Sequence, residues 1–151
     1  MAHYPVNHPL RPVYRALGGL AGLYLLAFGI LGAIATAGDG LFGTDTDKVL
    51  GQGTNLAWSV LSALAGLAVL AGTALGGNRD VALYTYLGWG LLVVGLATLA
   101  VIRTDVNVFH FSMATVVVTF VVGLALITAG LYSRVAAPRD AGAPRQVRQR
   151  A

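Results

Sequence analysis

Few side chains in this sequence can move a proton, attack a substrate or hold an ion. Histidine stands at positions 3, 8 and 110, and only His110 lies beyond the first ten residues, in the stretch RTDVNVFHF from Arg103 to Phe111. Its imidazole could accept a proton, donate a hydrogen bond to a partner or a quinol-like ligand, or serve as one metal ligand. A zinc centre takes about three or four protein ligands. The chain has no cysteine and no glutamate, which leaves Asp39, Asp45, Asp47 and Asp105 as the acidic groups expected on the same side as His110. Asp45-Thr46-Asp47 places two carboxylates on one loop. Calcium asks for about six to eight oxygens from a preorganised loop, so the pair reads as solvated. Nor does the pattern offer an apolar pocket that would raise a carboxylate pKa for acid–base work. The expectation is therefore no catalytic residue, no metal site and no cofactor.

Two asparagines give His110 its context. Asn107 is placed to cap the helix that follows, with His110 at its third position in the headgroup layer. Asn55 and Trp58 stand in the same relation at the start of an earlier helix. Asn55, Trp58, Asn107 and His110 together form the candidate contact surface for a small ligand, a lipid or a partner.

The elements that must position these residues follow from hydropathy. The chain of 151 residues is 56% hydrophobic and 11% charged, against about 25% charged in a typical soluble domain. Lys, Arg and Asp are absent from residues 16–38, 49–78, 81–102 and 106–133, of which the shortest, 81–102, is 22 residues. About 20 apolar residues in a helix cross a hydrocarbon core. These runs lack the polar face of a soluble helix. The predicted fold is an all-α, integral membrane four-helix bundle with helices at about 14–37, 54–77, 81–102 and 109–134. Residues 1–13 form an extended N-terminal strap, and 135–151 a flexible Arg-rich tail. The segment 38–53 is Gly-rich and has room for a short amphipathic or re-entrant piece near Lys48–Gly51. Ala35-Thr36-Ala37 resembles a secretory cleavage site, but the apolar run before it is too long for a signal peptide, so it reads as a retained helix.

Orientation follows from basic residues. Arg11, Arg15, Arg79, Arg134, Arg139, Arg145, Arg148 and Arg150 fall on one side, and only Lys48 and Arg103 on the other. The positive-inside bias puts both termini in the cytoplasm. Tyr14, Tyr84, Tyr86 and Tyr132 are expected at the inner boundary, and Trp58, Phe109 and Phe111 at the outer one. The net charge of +4 lies at these edges and in the tail, with no stacking platform beside it, so no nucleic acid is expected.

Within lipid, helices close through small residues and side-chain hydrogen bonds. Such stripes run along every helix: Gly18, Gly22, Gly29 and Ala33; Ser59, Ser62, Gly66, Val69, Thr73 and Gly76; Thr85, Gly88, Leu92 and Gly95; Ser112, Thr115, Thr119, Gly123, Leu126, Gly130 and Ser133. They read as intramolecular packing seams, with docking of a membrane-protein partner or a second copy as the sharper alternative. Each helix also has a Gly-Leu step, but the spacings do not form a duplication of the inverted-repeat kind. No ionisable residue falls at mid-membrane, which argues against proton-coupled transport. In the strap, three prolines in eight residues favour extended backbone, and His3, Tyr4, His8 and Arg11 are candidate partner contacts.

Two segments carry a family resemblance: Gly51–Gly72, GQGTNLAWSVLSALAGLAVLAG, and Asn107–Gly130, NVFHFSMATVVVTFVVGLALITAG. The chain resembles the actinobacterial four-helix membrane proteins grouped as domain of unknown function 4383, in which helices 2 and 4 tend to open with Asn-x-x-His before a Gly-Leu step. Asn107 and His110 match that pattern. Asn55 matches too, with Trp58 where the other histidine would stand. The likeness covers roughly residues 12–134. It implies a bacterial plasma-membrane location and no activity. The expectation is a non-catalytic accessory or stabilising subunit of a larger plasma-membrane complex, in contact with lipid. The alternative is a small-ligand or lipid-binding protein with an outer-leaflet pocket around Asn55, Trp58, Asn107 and His110.

Overall fold

The computed structural model describes residues 6–43 and 48–137. His3, Tyr4, Asp45, Asp47 and the tail arginines beyond 137 lie outside the described residues. The chain forms four α-helices: α1 Arg11–Ala35, α2 Leu56–Leu75, α3 Arg79–Val101 and α4 Met113–Tyr132. All four are long and apolar enough to cross a membrane. At 1.5 Å per residue, the shortest span about 30 Å, the thickness of a hydrocarbon core. Their outer faces stay greasy: Leu20, Ile34, Leu64, Val93 and Leu124 are exposed. Water would penalise that surface, and acyl chains do not.

Local chemistry sets the boundaries. Pro12 stands in the first turn of α1, where its missing N–H goes unneeded. Asn55 caps α2 by accepting the Trp58 N–H at 3.0 Å. Gly76, Gly77 and Asn78 all take positive φ (60°, 60° and 69°), so three left-handed residues reverse the chain between α2 and α3. Helix α4 opens four residues later than the sequence suggested. Its cap is Ser112, in a reciprocal box with Thr115, and not Asn107. His110 is held at φ 53° and so lies in the loop ahead of the helix, outside its first turn. The piece near Lys48–Gly51 is no amphipathic helix. Val49 and Gln52 exchange two backbone hydrogen bonds of 2.9 Å around Leu50 and Gly51, both at positive φ, which makes a tight hairpin turn.

The helices run alternately up and down. Helix α1 packs most extensively on α2, and α3 on α4, while α2 against α3 and α1 against α4 are looser. Glycines make the tight pairs. A Cβ on Gly66 would come 2.7 Å from the Gly22 carbonyl oxygen, and one on Gly88 would come 2.8 Å from that of Gly123. Gly29 backs onto Ser59 and Ala63, Gly130 onto Thr85, and Gly95 onto the Phe120 ring. Gly18 is filled by the Tyr84 ring. The shared core is Leu25, Phe28, Trp58, Val69, Tyr84, Leu91, Val116 and Leu126. At its centre remains a void of about 10 Å³ between Tyr24, Phe28, Trp58 and Val122. That is the bare minimum for one water.

Candidate functional site

Of the four residues expected to form an outer pocket, the two asparagines have their amide atoms already engaged. Asn55 is buried; its amide nitrogen donates to the Val108 carbonyl at 2.7 Å, while its oxygen caps α2. Asn107 braces the α3–α4 loop, donating to the Ile102 and Phe111 carbonyls and accepting the Phe111 N–H at 3.0 Å. Trp58 is buried against Phe111, with ring centroids 4.7 Å apart, and against Phe109 at 5.7 Å. The His110 imidazole makes no hydrogen bond with a described residue. The α1–α2 and α3–α4 loops are further stitched: the Gly53 N–H donates to Ser112 Oγ at 3.0 Å, and Thr115 Oγ1 donates to the Gly53 carbonyl at 2.7 Å. Gln52 is buried and donates to the Tyr24 hydroxyl. Among the described residues, this end is tied together by hydrogen bonds between its two loops. Trp58 and Phe111 are buried in the core of the bundle.

A groove opens further along the bundle, in the looser seam between α2 and α3. A groove of about 400 Å³ is lined by Leu25, Trp58, Leu61, Ser62, Ala65, Ala68, Leu87, Gly90, Leu91 and Val94 among others. From Trp58 to Ala68 it runs about 15 Å along α2. Its lining residues are apolar save for Ser62 and the indole N–H of Trp58. Ser62 is 2% exposed, lines both the groove and the central void, and its hydroxyl has no hydrogen-bond partner. The contrast with neighbouring hydroxyls is sharp. Thr73, Thr85, Thr98 and Thr119 each donate to the carbonyl four residues back, at 2.6–2.8 Å, and Ser59 pairs with Thr54 at 3.1 Å. Ser62 was legible only as a packing residue; its unspent donor appears once α3 is in place.

The opposite end holds a charge cluster that the sequence did not assign. Asp80, fully buried in the first turn of α3, faces Arg15 Nε at 2.9 Å and Arg11 at 3.7 Å. The Arg15 approach lies off its N–H axis, so charge and not a directed hydrogen bond holds the pair. A carboxylate here also meets the positive end of the helix dipole. Arg15 also donates to the Thr73 carbonyl, and Arg11 Nε to the Ser133 carbonyl at 2.9 Å. Tyr84, expected at the boundary, is fully buried inside the bundle with its hydroxyl 2.6 Å from that of Thr73. The signal in the sequence was a lone acid, Asp80, between charge-free runs at the arginine-rich end.

The strap and the chain after α4 belong to this cluster. Asn7 bonds Arg134 and Ala136 through its backbone and both amide atoms, and Asn78 clasps Val135 with two bonds of 2.8 Å. The His8 ring packs edge-on against Tyr14 and Tyr132, which stack on each other at 4.6 Å. His8 and Arg11, expected to reach a partner, are thus engaged within their own chain. Among the described residues no group of His and Asp side chains could hold a metal ion. No protein family, no characterised protein and no solved structure matches the chain.

Proposed function

We propose that this is a non-catalytic protein of the bacterial plasma membrane, with both termini cytoplasmic, that takes an apolar small molecule from the bilayer into the groove between α2 and α3. The observation that carries the reading is the groove itself: about 400 Å³ between largely apolar walls, with Ser62 among its lining residues and the Ser62 hydroxyl buried without a hydrogen-bond partner. Ligand sites have that make-up, an apolar lining with few fixed polar groups, and typically fill about 300–1,000 Å³. A hydroxyl donor turned into the groove suits a ligand with a carbonyl, of the quinone or ester kind, on a long apolar body. The placement of the termini rests on eight of ten basic residues lying at the start of α1, at the start of α3, or after α4. The test is solvent extraction and mass analysis of protein purified in mild detergent. A carbonyl-bearing apolar molecule is expected near one per chain, reduced several-fold by Ser62→Ala and lost with Ala65→Phe, which fills the groove. Equal occupancy in all three proteins would end the proposal.

A second reading, an accessory subunit of a larger membrane complex, draws on Gly90. It lines the same groove with no atom near its missing Cβ, as a helix–helix contact requires. Purification under the same conditions distinguishes the two: a stoichiometric protein companion that Gly90→Leu removes would favour the subunit, and a lone chain would count against it.

A further inference from the structure

A second groove, on the α3–α4 face at the end that carries the described termini, is independent of the first. It encloses about 650 Å³, and its lining includes Tyr86, Trp89, Ile127, Gly130, Leu131 and Arg134. It is graded along its length. Arg134 follows the end of α4, where the helix stops and the polar zone begins. Trp89 stands about 15 Å further into the span, ten residues along α3. Arg134 is exposed and has no salt bridge with a described residue, since Asp80 is taken by Arg11 and Arg15. Its backbone carbonyl is fixed by Asn7 at 3.0 Å, which anchors the guanidinium stem at the mouth. Tyr86 and Trp89 are 79% and 56% exposed, large rings turned outward beside an unspent cation.

We propose that this groove seats one anionic phospholipid of the leaflet on the termini side, its phosphate on the Arg134 guanidinium and its acyl chain along Trp89, Ile127 and Leu131. The groove offers charge at the headgroup end and apolar wall toward the midplane, the polarity of an amphiphile in that leaflet. Arginine presents a planar fork that matches phosphate oxygens, and the Tyr86 ring suits the interface between them. A neutral lipid would offer the Arg134 guanidinium no net charge to pair with.

Trp89 is itself the reporter. In a Trp58→Phe variant it is the one remaining tryptophan. Reconstituted into vesicles, this protein should be quenched more by phosphatidylglycerol with brominated acyl chains than by brominated phosphatidylcholine. The preference is expected to be about fivefold, the weight of one arginine at a charged surface, and to fall to parity with Arg134→Gln. If Trp58→Phe fails to fold, native mass spectrometry of the unaltered chain and its Arg134→Gln variant reads the same preference as retained lipid. Equal quenching by both lipids, no quenching by either, or a preference that survives Arg134→Gln and disappears only when the tail arginines are replaced would each overturn the proposal.

Discussion

At the scale of single residues, the strongest interaction is the charge cluster, and its asymmetry sets the outcome of mutation. Stranding a buried charge costs about 3–5 kcal/mol. The arginine side chains here are 24% and 29% exposed, so Asp80→Ala is expected to lose only about 2 kcal/mol. Thermal unfolding in mild detergent measures this, and the Asp80→Ala, Arg15→Leu double variant should recover part of the loss, because both unpaired groups are then gone. A parent-like melting curve for Asp80→Ala would show that the pair contributes nothing. The two asparagines and His110 make a second contrast. Asn55→Ala removes a cap and unpairs the Val108 carbonyl, and should lose about 1–2 kcal/mol. His110→Gly should lose nothing, since glycine takes φ 53° without a Cβ penalty. The sequence showed that Asn55 and Asn107 begin something. It did not show that one caps a helix while the other ties a loop, because both have the same pattern of neighbours; the difference lies in the carbonyls that reach them from elsewhere.

At the scale of elements, the four spans were readable because lipid leaves little choice: a backbone without water must satisfy itself as a helix. The ends were less so. Hydropathy runs on through Phe109 and Phe111, yet α4 waits for Ser112, since a left-handed residue at His110 blocks an earlier start. The glycine stripes were visible as stripes, but which helix faced which depended on contacts between distant segments. Packing predicts unequal effects from equal substitutions. A leucine at Gly66 would drive Cβ to within 2.9 Å of the Leu26 Cα and against the Gly22 carbonyl, backbone atoms that move only if α1 and α2 part. A loss of about 1–3 kcal/mol or more is expected. A leucine at Gly90 meets open space and should leave the melting temperature unchanged while narrowing the α2–α3 groove. Equal destabilisation by Gly66→Leu and Gly90→Leu would mean that the two seams are packed alike.

Across the whole molecule, polar chemistry divides between the two ends, and the middle is left to small residues and one unspent hydroxyl. The α1–α2 and α3–α4 loops spend their amides on each other and on themselves, and the end with both described termini spends its charges on closing α1, α3 and the segment after α4. That closure was not legible in the sequence, because Asn7 and Ala136 stand 129 positions apart and neither belongs to a recognisable motif. It also links orientation to structure. The same arginines that bias insertion, Arg11 and Arg15, are consumed by Asp80, so the end they close and the side they mark must be the same. The chain has no cysteine, and this makes the side directly measurable. Single cysteines placed by Arg103→Cys in the α3–α4 loop and Ala137→Cys after α4 occupy exposed positions at opposite ends. In intact cells a membrane-impermeant maleimide should modify the first at once and the second only after the membrane is opened. Prompt labelling of position 137 with protection of position 103 would invert the molecule. It would place the Arg134 groove in the outer leaflet and remove the inner-surface charge from the argument for its lipid.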